Sequence, residues 1–136
     1  MRSMARMSIP RTHKDLDAWK QAMDLVEHCY QLSADFPRDE PFGLTSQLRR
    51  AVVWIPSNIA EGHCRRKTRV YAHHVSIALG SHGELETLIE LTSRLGFLFA
   101  QDRRGLQEQC DSVGRLLSGL HRSLEEKIAR GDMRPS

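Results

Sequence analysis

A chain of 136 residues, 40% hydrophobic and 27% charged, has the size and balance of a single domain with its own core. No apolar run approaches the roughly 20 residues needed to cross a bilayer, and the first residues carry cations without an apolar segment. Neither a membrane span nor a secretory signal is expected. Net charge is only +3, yet it is unevenly placed. Between Pro41 and Gly83, Arg49, Arg50, Arg65, Arg66, Lys67 and Arg69 face a single acid, Glu61. His63, His73, His74 and His82 lie in the same window and would add charge below about pH 6.5. The remainder of the chain is slightly acidic. Cys29, Cys64 and Cys110 show no paired spacing, which fits a reducing cytoplasm. Cys29 and Cys110 read as small apolar residues, Cys64 as a surface thiol beside Arg65 and Arg66.

In chain order, residues 1–13 are expected to form a flexible arm, 14–131 the folded domain and 132–136 a flexible tail. The first helix is predicted from about Lys14 to Ala34. Leu16, Trp19, Met23, Val26 and Tyr30 form the stripe expected of a buried face. A second row, Ala22, Leu25, Cys29 and Leu32, flanks it. Together the rows make an apolar face wider than one neighbouring helix would cover. Phe36-Pro37 closes the element.

The second helix is predicted to start at Thr45 or Ser46, either of which can cap it, and to stop at Gly62. Leu44, Leu48, Ala51, Val52, Ile55 and Ile59 share its inner face. Pro56 lies deep inside, where a missing N–H and a displaced carbonyl cost about 3 kcal/mol. Asn58 is placed to satisfy a backbone group that Pro56 leaves over, with the Val52 carbonyl as a candidate. A kink that exposes Arg49 and Arg50 is the alternative. Val53 and Trp54 point well away from the inner stripe. Such a tryptophan is either simply exposed or a subunit contact, and the aromatic enrichment of interface cores favours the contact.

The third helix is predicted over Thr68 to Leu95, with Thr68 as cap. Tyr71, Val75, Ala78, His82, Leu85, Ile89 and Thr92 keep one phase through Gly80-Ser81-His82-Gly83, so that patch should stay helical, its small residues admitting another helix. Gly96 and Phe97 end it. The fourth runs from Asp102, its cap, to Arg130, with Leu106, Cys110, Val113, Leu117, Leu120, Leu124 and Ile128 inside and Gly131 as the stop. Four amphipathic helices with short connections predict an all-α, antiparallel up-down four-helix bundle.

Two of these segments carry a resemblance. Gln47-Leu48-Arg49-Arg50-Ala51 followed by Ile55-Pro56-Ser57-Asn58-Ile59-Ala60-Glu61-Gly62 resembles the signature of bacterial four-helix-bundle proteins encoded in intervening sequences of 23S rRNA genes. Leu16-Asp17-Ala18-Trp19-Lys20-Gln21-Ala22-Met23 and Phe36-Pro37 extend the likeness upstream. Ala78-Leu79-Gly80-Ser81 and Glu84-Leu85-Glu86-Thr87 extend it downstream, to about residues 14–98. The resemblance implies a ring-shaped homopentamer of antiparallel bundles. A distant branch, the accessory protein of diversity-generating retroelements, implies binding to a reverse transcriptase and to nucleic acid through basic surface.

Catalytic patterns are missing from the sequence. It holds no Glu-x-x-His, no His-Glu-x-x-His, no Gly-x-x-x-x-Gly-Lys phosphate loop and no Cys-x-x-Cys. His82 reads as a satisfied core histidine and adjacent His73 and His74 face different ways, so no metal and no cofactor are expected. Glu86 and Glu90 lie on a solvated face, with Arg94 placed to pair with Glu90. The chain is therefore expected to be non-enzymatic and to bind RNA or DNA phosphates. Arg65, Arg66, Lys67 and Arg69 carry most contacts in that reading, and Arg49 and Arg50 assist. Arg103 and Arg104, which open helix four, should fall at the opposite end of the bundle. Val53 and Trp54 are the expected oligomer contact. A protein-interaction scaffold, for example for a reverse transcriptase, and a structural oligomer without ligand are the alternatives.

Overall fold

The computed structural model describes residues 12–38 and 42–131; the expected tail, 132–136, and all of the expected arm except Thr12 and His13 lie outside them. A 3-10 turn at His13–Asp15 leads into α1 (Asp17–Ser33), α2 (Leu44–Cys64), α3 (Thr68–Arg94) and α4 (Ala100–Ala129). Among the described residues all regular structure is helical. None of the helices is long and apolar enough to cross a membrane.

Each helix packs on two others: α1 on α2 and α4, and α3 on α2 and α4, with no close approach across either diagonal. Short connections between sequential neighbours make this an up-down bundle. The α2–α3 turn therefore lies at one end, with the start of α1. The α1–α2 and α3–α4 connections lie at the other. The core runs down the middle through Leu25, Leu48, Ile55, Ile59, Val75, Leu85, Ile89, Leu106, Val113 and Leu117, all fully buried. The inner stripes expected of α2 and α3 are buried throughout.

On α1 the expected order of the two rows is reversed. Ala22, Leu25 and Cys29 are fully enclosed, whereas Met23 and Tyr30, assigned to the buried stripe, are 41% and 42% exposed. The reason is geometric. Of the other α-helices only α2 and α4 touch α1, and they close over the row of smaller residues, so the bulkier row is left at the outer α1–α2 seam. Trp19 is partly buried there, and its ring meets His13 edge-on at 5.3 Å.

The helix ends also differ from expectation. Neither Thr45 nor Ser46 caps α2, which starts one residue earlier, after Gly43 in the left-handed region (φ 65°). Lys67 rather than Thr68 is the N-cap of α3, and Phe99 rather than Asp102 that of α4. Gly62 does not stop α2; the helix continues to Cys64. A Cβ on Gly62 would lie 2.7 Å from His74 Cβ and 3.3 Å from Tyr71 Cα, so glycine there permits close packing of α2 on α3. The chain turns four residues later, at Arg66, with φ 61°. At the end of α3 the expectation holds. Gly96 takes φ 82°, and the N–H groups of Gly96 and Phe97 donate to the Ser93 and Thr92 carbonyls at 3.1 and 2.9 Å, a Schellman closure.

α2 passes through Pro56 without ending. Asn58 is buried, but its Nδ2 donates to the Trp54 carbonyl at 2.9 Å, not to that of Val52. Its Oδ1 accepts from His74 Nδ1 at 3.0 Å, so the side chain ties the proline turn to α3. Gly80 and Gly83 remain helical, yet no atom lies within 4 Å of a Cβ built on either. No helix of the same subunit makes use of their small size.

Candidate nucleic-acid interface

The six cations singled out by charge patterning fall into two groups. Arg49 and Arg50 lie in the second turn of α2. Arg65, Arg66, Lys67 and Arg69 lie at its far end and at the start of α3. A rise of about 1.5 Å per residue puts roughly 22 Å of helix between Arg50 and Arg65.

Arg49 is turned onto its own subunit. Its Nε donates to Ser33 Oγ at 2.9 Å, its Nη2 donates to the Tyr30 carbonyl at 3.3 Å, and its guanidinium lies 4.5 Å from the centre of the Tyr30 ring. The last turn of α1 contains no basic residue. Arg49 thus brings positive charge from α2 to the negative end of the α1 dipole. Arg50 is exposed and, with Arg49, Arg38, Val53 and Trp54, lines an open groove of about 790 Å³. Val53 and Trp54 are 37% and 48% exposed. Trp19, Met23, Val26 and Val53 continue the same outer seam toward the proline turn. The exposed apolar row of α1 and the off-stripe pair of α2 thus form one surface. Sequence periodicity alone had placed Met23 and Tyr30 inside. The signal that marks them as outer is the double apolar row on α1, too wide for its two neighbours to cover.

At the other end, Arg65 Nη2 pairs with Glu61 Oε2 at 3.0 Å, both well exposed. Such a pair contributes little and exchanges readily. Arg66, Lys67 and Arg69 are exposed, and none pairs with a carboxylate among the described residues. Their charges stand at the positive end of the α3 dipole. Arg103, at the opposite end, is paired with Glu90, which also accepts from Arg94 Nε at 2.7 Å. The hydrogen bond from Arg94, helped by Arg103, holds the Glu90 carboxyl below the usual range. The two basic clusters are therefore separate, and among the described residues the α2–α3 corner brings Arg66, Lys67 and Arg69 together without a carboxylate partner.

Thiol chemistry has little support at the buried positions. Burial pushes the Cys29 and Cys110 thiols up to about 12, so neither is a ready thiolate. His82 Nε2 lies 2.7 Å from the Cys110 carbonyl oxygen, so that nitrogen has the core partner that its place on the stripe predicts. Cys64 is exposed, with its Sγ 3.6 Å from His13 Nδ1.

Comparison with known proteins places this architecture. No curated protein matches the chain. Among solved structures, a protein of unknown function from the S23 ribosomal protein family of Bacteroides thetaiotaomicron is similar in fold. Its TM-score is 0.71 at 16% sequence identity, over 77% of this chain and 95% of that one. The profile of the family described as "23S rRNA-intervening sequence protein" matches residues 14–119, from the 3-10 turn to well into α4. The Ile-Pro-Ser-Asn-Ile-Ala-Glu-Gly run that binds α2 to α3 lies inside that span, and the chain belongs to the 23S rRNA-intervening sequence protein family.

Proposed function

We propose that this protein is a non-enzymatic homo-oligomer that binds nucleic-acid phosphates through the α2–α3 corner. Arg66 is the observation that carries the reading. It is the one non-glycine residue with positive φ among the described residues. The left-handed region costs a side-chain-bearing residue about 1–2 kcal/mol. Strain of this kind persists where a side chain has a use. Here it keeps a cation between Arg65 and Lys67 where glycine would be the easier residue. Arg66→Gly is expected to raise unfolding stability by about 1 kcal/mol in a denaturant titration. The same variant should bind RNA and DNA more weakly. Stabilisation without weaker binding would assign the arginine no role in recognition.

The test of the reading as a whole is a binding assay with RNA and DNA on a variant in which Arg65, Arg66, Lys67 and Arg69 are all glutamine. Affinity should fall by about two orders of magnitude at moderate salt. Unchanged affinity would end the proposal, and a protein partner retained on the same corner would move it to the scaffold reading.

Self-association is supported by the outer α1–α2 seam, where Met23, Tyr30, Val53 and Trp54 give water an apolar surface that the subunit does not cover. A closed ring, pentameric in our reading, would bury it and repeat the basic corner around one rim, where avidity strengthens a modest site. Sedimentation should show an oligomer at micromolar concentration. Trp54→Ala should raise the dissociation constant by about 30-fold or more, as expected for a central interface aromatic. Since Trp54 is half exposed, the variant should keep its helical content. A wild-type monomer at that concentration would contradict the ring.

A further inference from the structure

We propose that His82, Glu86 and Cys110 form a binding site for a zinc-like divalent transition metal between α3 and α4. The acceptor beside His82 fixes where its proton sits. Its Nε2 lies 2.7 Å from the Cys110 carbonyl oxygen, which can only accept, so Nε2 carries the hydrogen. In the neutral ring Nδ1 is then a bare lone pair. It points at Glu86 Oε1, 3.6 Å away, which is also an acceptor. Two acceptors facing each other across a half-exposed cleft call for a proton or a metal cation between them. At Glu61, which faces His74 in a similar way at 3.7 Å, Arg65 supplies the charge. Glu86 has no Lys or Arg partner among the described residues.

A metal fits the gap. Bonds of about 2.0–2.2 Å to nitrogen and oxygen at a tetrahedral angle hold those atoms about 3.3–3.4 Å apart, a few tenths of an ångström less than observed. Cys110 supplies a third donor from α4: its Sγ lies 3.4 Å from His82 Nε2, and one ligand atom from each of the three residues lies within 4.8 Å of the others. The bond from Nε2–H to a backbone carbonyl is the outer contact that commonly fixes a ligating histidine. An open groove of about 710 Å³, lined by His82, Glu86, Asp111 and Gly114 with Arg115 and Arg122 at its wall, gives the ion a way in and room for a water as fourth ligand. Gly114 belongs to the design of the site, because a Cβ there would lie 2.7 Å from His82 Cε1 and push the ring off its position. A sulfur, nitrogen and oxygen donor set selects Zn²⁺ or Co²⁺ over Mg²⁺ or Ca²⁺. On binding, the Cys110 thiol gives its proton to solvent, and the metal supplies the charge that its apolar surroundings lack.

Titration of metal-stripped protein with Co²⁺ tests this. The expected result is one equivalent per chain at micromolar concentration, with a thiolate-to-cobalt charge-transfer absorption that Zn²⁺ displaces. Glu86→Gln, at an exposed position that should not disturb folding, is expected to weaken binding by at least about tenfold. Cys110→Ser should remove the absorption band, and Cys64→Ser should leave it intact. No saturable binding at that concentration would overturn the assignment. So would affinity indifferent to Glu86→Gln, or a band that follows Cys64.

Discussion

Gly62→Ala is expected to destabilise the protein by about 2 kcal/mol, although alanine is the better helix former. The new Cβ would meet His74 Cβ at 2.7 Å, Tyr71 Cδ1 at 3.0 Å and Tyr71 Cα at 3.3 Å. Two of these atoms are tied to the backbone of α3 and cannot swing away. Relief requires α2 and α3 to separate. Overpacking of this kind costs about 1–3 kcal/mol, and a rigid neighbour argues for the upper end. Alanine returns up to about 1 kcal/mol of helix propensity. For a chain of this size the net loss corresponds to a melting temperature lower by about 5–8 °C. Gly80→Ala is the matched control. It lies in the middle of α3 with nothing within 4 Å of the added atom, so it should stabilise by up to about 1 kcal/mol. If Gly62→Ala also stabilised, the close approach of α2 and α3 would be wrong.

The largest effect on binding is expected from neutralising the α2–α3 corner. Each cation on a phosphate releases condensed counterions, and the logarithm of the binding constant falls with the logarithm of salt at about 0.9 per contact for duplex DNA. Four contacts therefore account for roughly a hundredfold loss of affinity between about 50 and 200 mM salt. Arg65 gives up an exposed pair with Glu61 to take part, a small cost. Arg66, Lys67 and Arg69 have no such partner among the described residues. Arg103→Gln together with Arg104→Gln serves as the control. It removes charge at the other end of the bundle, where Arg103 is already engaged by Glu90. That pair of substitutions should change binding far less than the corner variant.

How much was legible in the sequence depended on whether a signal was local. The inner stripes of α2 and α3, the helix through Pro56, the continuity across Gly80 and Gly83, and the stops at Gly96 and Gly131 follow from spacing along one element. What failed needed knowledge of a neighbour. Which of two apolar rows on α1 is buried depends on how far α2 and α4 close over it. Gly62 looks like a helix stop until α3 is set against it. That Asn58 ties α2 to α3 was hidden for the same reason, since the His74 Nδ1 that donates to its Oδ1 belongs to another helix. In the basic region charge counting found all six cations but could not tell Arg49, held by Tyr30 and Ser33, from Arg50, which is left exposed. The His82–Glu86–Cys110 cluster had no sequence signature. Its cysteine lies on a different helix from the other two donors, and no short spacing joins it to them.

The most direct measurement of the central claim is the salt slope of nucleic-acid binding, taken side by side for the wild-type protein, the corner variant and the Arg103/Arg104 control. A steep slope is expected for wild type, one shallower by about 3 to 4 for the corner variant, and little change for the control. Three equal slopes, or a loss confined to the Arg103/Arg104 variant, would contradict it.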